Sequence, residues 1–571
     1  MRRPVRTTLV AALGLATVAV IPAVGGRASA EPLQEDDSGG EFVIAFEGGN
    51  TEAALEAVAA AGGQVLDVNE ALDIALVAGG EGFSDAVSEA SEIVAVARNH
   101  SIGTARPGMP HRFVEEHPSA EDRAAAQGQA QERRSSASGE PLADLQWNMK
   151  MIGATSTEAH RRATGRRVTV GVMDTGVDAS HPDLAPNFSH ELSRNFTMDI
   201  PAVDGPCEVP TCIDPADVDD GGHGTHVAGI IAAARNRFGI SGVAPDATIV
   251  NIRAGQDSGY FFLYETLAAL TYAGDESLDV VNMSFYTDPW LYNCASRDDY
   301  ISGDVSDEEI ADQAFVREMV LAGVEYAHER GVTLVGSAGN SHFDLSLPRR
   351  PDATSPDYPE GTSRPRVVTD NCLDLPSEAP EVISVSAVGP SMTKADYSNY
   401  GFDQAEELVE ISAPGGWFRD FFGTPQHRVP ANSILSTYPL HVGIDAGLID
   451  ENCVVLDPTG FSVSDIDRGR CGFYMYLQGT SMASPHVAGV AALVVEEHGT
   501  RGRGGYSMDP VAVRTILEET ATDHACPPGG VEDYTDEGRP PDWNATCEGT
   551  TADNGLYGEG IVNAAAAVAR M

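Results

Sequence analysis

Apolar and polar positions change their period along the chain, and each change marks a predicted element. In the N-terminal part, short apolar runs alternate with amphipathic segments. The pattern predicts a strand at 42–46, a helix at 51–61, strands at 64–68 and 72–77, a helix at 83–91 and a strand at 93–97. This βαββαβ order predicts a small ferredoxin-like α+β domain.

Longer segments follow in the second part of the chain. Nearly all-apolar runs at 168–173, 248–252, 279–284 and 332–335 are typical of parallel strands that are covered on both faces. Helical segments are predicted at 226–234, 262–273 and 307–328. The alternation predicts one large α/β domain over residues 141–571, with a mostly parallel sheet and right-handed crossovers.

Two further segments differ from both domains. Arg2, Arg3 and Arg6 precede an apolar stretch at 9–20, and Ala28-Ser29-Ala30 follows as a small-residue cleavage site. We therefore predict a signal peptide at 1–30 and a secreted, extracellular protein, with no other stretch long and apolar enough to span a membrane. Residues 106–140 are rich in Ala, Gln, Glu, Arg, Ser and Gly, which predicts a flexible linker.

Charge and cysteine content narrow the function classes. The formal net charge is −49, from 85 acidic and 36 basic residues, which disfavours binding to nucleic acids and anionic membranes. This acidic, lysine-poor composition reflects either genomic base composition or adaptation to salt. Eight cysteines, an even number, suit an oxidising compartment and permit 105 pairings. We predict nearest-neighbour disulfides that each pin a loop: 207–212, 294–372, 453–471 and 526–547.

One serine stands where it could react. Ser481 follows Gly479 and Thr480, and a run of small and apolar residues begins after Pro485 and ends near Val494. The run predicts a buried helix, whose N-terminal N–H groups would lie beside the Ser481 hydroxyl and suit a developing oxyanion. For a single serine, a helix N-cap is the commoner role. A catalytic role requires a base and an orienting carboxylate elsewhere.

Two other motifs supply these groups. Asp174 ends the predicted strand at 168–173 and opens a turn, a position where functional groups gather in a parallel sheet but where a turn aspartate is also common. His223 lies among glycines in Gly-Gly-His-Gly-Thr-His and precedes a second small-residue helix. His223 and His226 are an alternative metal-binding pair, although no HExxH pattern or nearby cysteine accompanies them.

Together, DTGVD, HGTHVAG and GTSMASPHVAG resemble the motifs of subtilisin-like serine endopeptidases, in the order Asp, His, Ser. The resemblance implies a three-layer α/β fold, a triad of Asp174, His223 and Ser481, and hydrolysis through an acyl-enzyme. It also implies that Asn340, which follows the strand at 332–335, belongs to the oxyanion hole rather than to an ordinary turn. The closing segment at 557–564 is similar to the family's as well.

The substrate-binding segments match the family less well. The resemblance implies that two segments bind the substrate. Their residues are Ser284, Phe285, Tyr286, Ser337, Ala338 and Gly339. Where the family usually has Leu and Gly after the serine, this chain has Phe285 and Tyr286, so bulky side chains are expected to narrow or reshape the cleft. Insertions at 287–305 and 348–375 either select substrates or are decoration held by disulfides.

The resemblance carries three further expectations. Residues 31–105 are similar to inhibitory propeptides that assist folding and block the active site as an intramolecular partner. Maturation would cut the linker at Arg133-Arg134 or near Ser138. Asp183 and Asn236 match ligands of a structural calcium ion, although Arg235 and Arg237 would weaken the site. We expect a monomer that acts on proteins or peptides and needs no cofactor for catalysis.

Two other function classes remain open at this point. A subtilisin-like binding protein without activity would be expected to lack a residue of the triad or the oxyanion-hole asparagine. All four of these residues are present in this chain. An esterase or other acyl hydrolase would be expected to carry a Gly-x-Ser-x-Gly elbow, which does not surround Ser481.

Overall fold

Two sheets of different type organise the chain in the structure, which is a computed structural model. It describes residues 40–99, 117, 119–126, 139–201, 204–354, 364–403, 408–501 and 505–570. The predicted signal peptide and the predicted cuts at Arg133-Arg134 and near Ser138 lie outside these residues.

The N-terminal part follows the predicted βαββαβ order. Its elements are β1 (Gly40–Phe46), α1 (Thr51–Ala60), β2 (Gln64–Asn69), β3 (Ile74–Gly79), α2 (Phe83–Ser88) and β4 (Ile93–Arg98). The sheet is antiparallel with strand order β2-β3-β1-β4, which confirms the ferredoxin-like prediction.

The second part carries the larger fold. Its helices are α3 (Ala120–Ala126), α4 (Trp147–Met151), α5 (His223–Ala232), α6 (Leu263–Asp275), α7 (Asp307–Glu329), α8 (Leu440–Asp445), α9 (Thr480–His498), α10 (Pro510–Thr520) and α11 (Ala564–Ala569). Its strands are β5 (Thr169–Met173), β6 (Arg194–Asn195), β7 (Thr248–Arg253), β8 (Val280–Met283), β9 (Tyr300–Ser302), β10 (Thr333–Ser337), β11 (Arg350–Ala353), β12 (Pro365–Val368), β13 (Val382–Val388), β14 (Ile411–Pro414), β15 (Ile434–Tyr438), β16 (Ser462–Asp467), β17 (Arg470–Leu477), β18 (Thr500–Arg501), β19 (Tyr506–Ser507), β20 (Val531–Glu532) and β21 (Ala545–Thr546).

A seven-stranded parallel sheet forms the middle layer, with strand order β14-β13-β10-β8-β5-β7-β6. Helices α5 and α9 share a buried apolar core with one face of this sheet, and α6 and α7 share another core with the opposite face. This arrangement confirms the predicted three-layer α/β fold. It also places the ends of β5, β8 and β10 beside the first turns of α5 and α9.

The small N-terminal sheet packs on the large domain through alternate residues. Phe42, Ile44 and Phe46 face its own two helices, whereas Val43 and Ala45 join the core that contains α6 and α7. This is the period-2 alternation of a strand that is buried on both faces. Residues 40–98 therefore form a domain docked on α6 and α7.

Several predicted details differ from the structure. Helix α5 begins at His223, three residues before the predicted start at 226, and α9 begins at Thr480, so that Pro485 lies inside the helix. The segment predicted as a flexible linker contains α3, because its Ala-rich sequence favours a helix and Ser119 Oγ accepts a hydrogen bond from Asp122 N (3.1 Å).

Four disulfides brace the loops of the large domain. They join Cys207 to Cys212, Cys294 to Cys372, Cys453 to Cys471 and Cys526 to Cys547, which confirms the nearest-neighbour pairing. Within the described residues, none of the helices combines the length and the apolar composition needed to cross a bilayer.

Candidate active site

Asp174 and His223 meet at the carboxyl edge of the parallel sheet. Asp174 directly follows β5, and His223 is the first residue of α5. The His223 Nδ1 atom lies 2.7 Å from Asp174 Oδ1, and both side chains are buried. Burial raises the pKa of Asp174, while the His223 ring and the Thr175 N–H, which donates to Oδ1 (2.8 Å), act in the opposite direction. The short contact fixes the orientation of the imidazole.

A second buried carboxylate, which the sequence analysis missed, holds the start of α5. Asp219 Oδ1 accepts hydrogen bonds from Gly222 N (2.8 Å) and Thr175 Oγ1 (3.0 Å), and Asp219 Oδ2 accepts two from Thr225. Asp219 thus fills the role of an N-cap for the helix that begins with His223. The sequence signal for this role is an aspartate a few residues before the Gly-rich start of a helix.

Gly224, one of the glycines around His223, lies where two segments of the chain approach each other closely. A Cβ at this position would lie 2.1 Å from Gly176 O and 2.9 Å from the Asp174 Cβ. The turn that carries Asp174 can therefore approach α5 only because residue 224 has no side chain. This close approach brings the carboxylate within reach of the imidazole.

Ser481 is the second residue of α9, and every residue from Thr480 to Val495 is buried. Pro485 has no N–H to donate to the Ser481 carbonyl four residues earlier, and Ser284 Oγ donates to that carbonyl instead (3.3 Å). The Ser481 Oγ lies 3.4 Å from Ser284 O. The predicted nucleophile thus lies at the mouth of a buried helix and beside the end of β8.

Asn340 lies next to the start of the same helix. Its Oδ1 accepts hydrogen bonds from Thr480 N and Thr480 Oγ1, each 2.9 Å long. These contacts orient the amide so that Nδ2 is its donor end. Gly339 N also donates to Thr480 Oγ1 (3.1 Å), so the predicted segment from Ser337 to Gly339 runs beside the serine.

The expected effect of Phe285 on the cleft is wrong. Phe285 is buried and stacks on Phe261 with the ring centroids 3.9 Å apart, inside the core that contains α6 and α7. Its side chain therefore fills the core and does not narrow the cleft. Tyr286 is half-buried, and the Ser284 hydroxyl is bonded within the protein to Asn282 and Ser484.

His226 is not placed as a metal ligand. It is fully buried, and its Nε2 lies 3.0 Å from Met475 O. Burial lowers the pKa of His226 to about 3, so the ring is neutral at physiological pH. Its role is structural, in the packing of α5 against β17.

The environment of Asp183 does not fit the expected calcium ion. Asp183 Oδ2 accepts hydrogen bonds from Tyr474 OH (2.8 Å) and Ile240 N (3.0 Å), and Oδ1 accepts one from Asn236 Nδ2 (3.1 Å). Calcium requires oxygen acceptors around it, whereas three donors converge on this carboxylate. Burial raises the pKa of Asp183 to about 7, while the hydrogen bonds from Ile240, Tyr474 and Asn236 act in the opposite direction.

Another group of carboxylates could hold a metal ion, and it was not predicted. Ligand atoms of Asp199, Glu208, Asp214 and Asp257 lie within 4.8 Å of one another. Arg253 lies among them, with Nη1 2.8 Å from Asp214 and Nη2 2.8 Å from Asp257. The guanidinium therefore already supplies positive charge to this cluster, which joins residues far apart in the sequence.

Comparison with known proteins agrees with this geometry. The model of the subtilase family matches residues 165–560. Fervidolysin from Fervidobacterium pennivorans is 29% identical over 392 residues, a match that spans 67% of this chain and 41% of fervidolysin. Subtilisin DY from Bacillus licheniformis is 27% identical over 362 residues, spanning 63% of this chain and 85% of the relative.

Solved structures share the fold. The epidermin leader peptide processing serine protease of Staphylococcus aureus superimposes with a TM-score of 0.57 at 18% identity, covering 93% of this chain and 98% of that one. Fervidolysin, described as keratinolytic, gives a TM-score of 0.54 at 23% identity, covering 94% and 62%. Since the family model matches well over half of the sequence, the chain belongs to the subtilase family of serine peptidases.

Proposed function

We propose that this chain is a secreted serine endopeptidase that hydrolyses peptide bonds in proteins through Asp174, His223 and Ser481. The observation that carries the proposal is the buried 2.7 Å contact between His223 and Asp174, at the start of a helix packed against the one that carries Ser481. A buried acid–imidazole pair beside a helix-mouth serine is the arrangement needed for acyl transfer.

The residues would act in sequence. The Ser481 hydroxyl attacks the scissile carbonyl while His223 accepts its proton, and His223 then gives that proton to the leaving amine. Asp174 accepts the Nδ1–H of His223 and stabilises the imidazolium that forms. Asn340 Nδ2 and the Ser481 N–H donate to the oxyanion of the tetrahedral intermediate. Water then attacks the acyl-enzyme, with His223 again as the base.

The docked N-terminal domain supports an inhibitory role for residues 31–105. Asn99 Oδ1 accepts a hydrogen bond from Tyr264 N (2.8 Å) at the start of α6, and Asn99 Nδ2 donates to Glu265 (3.1 Å). Asn69 Nδ2 donates to Thr271 Oγ1 (2.9 Å) further along α6. These contacts anchor the N-terminal domain on α6 through Asn69 and Asn99.

The secreted location is supported by the four disulfides, which persist in oxidising compartments, and by the signal-peptide pattern of the first 30 residues. The family itself is a family of peptidases, so extracellular proteins are the proposed substrates. The oligomeric state that we propose is a monomer.

Casein hydrolysis tests the proposed function. The wild-type protein should hydrolyse casein, and both a serine-directed covalent inhibitor and Ser481→Ala should abolish this activity. Ser412→Ala is the matched control, because it removes another buried hydroxyl, one that donates to Gly560 O (3.2 Å) away from the site. Activity that survives in Ser481→Ala, or hydrolysis of esters without any hydrolysis of peptides, would contradict the proposal.

A further inference from the structure

Two segments contact the first turn of α9, and a substrate side chain that enters beside Ser481 would lie between them as between the walls of a pocket. One wall runs from Ser284 to Thr287 after β8, and its first carbonyl lies 3.4 Å from Ser481 Oγ. The other wall runs from Ser337 to Asn340 after β10, and it is bonded to Thr480. A side chain next to the scissile bond would enter between these walls, because both walls touch the first turn of α9.

A single segment is hydrogen-bonded to both walls and would form the base of this pocket. Leu375 O accepts a hydrogen bond from Thr287 N (2.8 Å) on one wall, and Ser377 Oγ donates to Ser337 O (2.7 Å) on the other. The residues around Leu375 therefore lie across the base and are bonded to both sides. Asp374 directly precedes Leu375.

The Asp374 carboxylate lies against the second wall. Its Oδ2 is 3.4 Å from the position that a Cβ would occupy on Gly339, and the side chain is buried. Gly339 has φ +97° and a Cβ there would lie 2.4 Å from Asn399 Nδ2, so this wall has only backbone beside Asp374. A carboxylate thus lies where the pocket meets its base.

The neighbouring cation is already engaged. Arg350 Nη1 donates to Glu378 Oε2 (2.7 Å) and to Cys372 O (2.9 Å), and Nη2 donates to Leu345 O (2.7 Å). Glu378 Oε2 also accepts from Asp374 N (2.7 Å). The hydrogen-bonded carboxylate partner of Arg350 is therefore Glu378.

We propose that Asp374 makes this pocket select a cationic side chain, arginine or lysine, on the substrate residue that precedes the scissile bond. The proposal rests on the endopeptidase function proposed above. A guanidinium or ammonium group would donate a charge-assisted hydrogen bond to the buried carboxylate. A neutral side chain would gain no such bond, which favours the cationic substrate.

The chain itself contains a pair of arginines, the kind of residue that this pocket would select. Arg133-Arg134 lies in the segment where a maturation cut is expected, between the docked N-terminal domain and the peptidase domain. Cleavage after Arg134 by another copy of the same enzyme would satisfy the pocket with an arginine. N-terminal sequencing of mature secreted protein should then begin at Ser135.

A matched set of fluorogenic peptides that differ only in the residue before the cleaved bond tests the proposal. For the wild type, we expect kcat/KM for Arg or Lys to exceed that for Gln or Leu by about 100-fold or more. Asp374→Asn should lower kcat/KM for the Arg peptide by about 100-fold and leave the Leu peptide nearly unchanged. Asp374→Glu, which keeps the charge, should retain the preference for cations.

Asp370→Asn is the control, since it removes the same charge from an exposed position of the same loop and should keep the full preference. A wild-type enzyme that cleaves the Leu and Arg peptides equally, through a Ser481-dependent activity, would overturn the inference and leave the proposed function intact. A wild type that cleaves none of the peptides would overturn both. If Asp374→Asn does not fold, the wild-type ratio decides.

Discussion

The sheet edge that carries Asp174 and His223 buries charged groups, and so do the insertions at 287–305 and 348–375, but the two regions use these groups in opposite ways. At the edge, the short contact between Nδ1 of His223 and Asp174 Oδ1 orients the imidazole. In the insertion at 348–375, Arg366 is completely buried and is satisfied on several sides at once. The comparison separates charges that are positioned for chemistry from charges that hold a loop together.

The contacts of Arg366 show the structural use. Arg366 Nε donates to Asp352 Oδ2 (2.6 Å), and Nη2 donates to Tyr292 O (2.6 Å) and to Gln313 Oε1 (2.9 Å). The guanidinium also lies over the ring of Trp290, 3.7 Å from its centroid. Loss of such a group should change stability, whereas loss of Asp174 should change the rate of reaction.

Asp174→Asn should give the largest effect. The amide keeps the size of the side chain but does not hold His223 in the required tautomer, so kcat should fall by about 10⁴-fold, a magnitude taken from other serine peptidases, subtilisin included. Because burial already disfavours the charged form of Asp174, the free energy of unfolding should stay the same or rise. Peptide hydrolysis and denaturant unfolding measure the two quantities, and a destabilised but active variant would invert the comparison.

Arg366→Met should have the opposite profile. It leaves Asp352 buried without its cation, and the free energy of unfolding should fall by about 3–5 kcal/mol while kcat of the folded protein stays nearly unchanged. Arg364→Met is the control, because Arg364 is exposed and its pair with Glu309 should contribute at most about 1 kcal/mol. Equal losses in the two variants would contradict a structural role for the buried arginine.

The same variant predicts a pH dependence. Burial raises the pKa of Asp352 to about 6, and the charge of Arg366 acts in the opposite direction. Loss of Arg366 should raise the pKa of Asp352 further, so the folded variant takes up a proton at a higher pH than the folded wild type does. The stability deficit should therefore shrink as the pH is lowered toward about 6 and stay constant below that. Denaturant unfolding curves of both proteins across this pH range measure the deficit. A deficit that grows on acidification would contradict the pairing of Asp352 with Arg366.

Asn340→Ala tests the remaining group at the catalytic edge. Loss of an oxyanion donor should lower kcat by about 10²–10³-fold with little change in KM, again a magnitude taken from subtilisin. Asn293→Ala removes a buried amide from the insertion at 287–305 instead, so it should affect stability and leave kcat nearly unchanged. An unchanged kcat in Asn340→Ala would remove this residue from the proposed oxyanion hole.

The sequence predicted the elements whose signal is local. The periods of apolar residues gave the ferredoxin-like order and the parallel strands, and neighbouring cysteines in the sequence form the disulfides. The starts of α5 and α9 were placed too late, because a glycine-rich or proline-containing first turn weakens the helical pattern. The sequence signal for Asp219, which accepts hydrogen bonds from the start of α5, was only its position shortly before that helix.

By itself, the sequence determined the fold class and the identity of the triad candidates, because three dense motifs each contain their own residues. Only the tertiary structure decided that Asp183 is surrounded by hydrogen-bond donors, that Phe285 is directed into the core and that Asp374 lies beside Gly339. Each of these outcomes depends on contacts between residues that are far apart in the chain, such as Asp183 with Tyr474. The period of a segment shows which positions are buried, but the partner that a buried group meets depends on how distant segments pack.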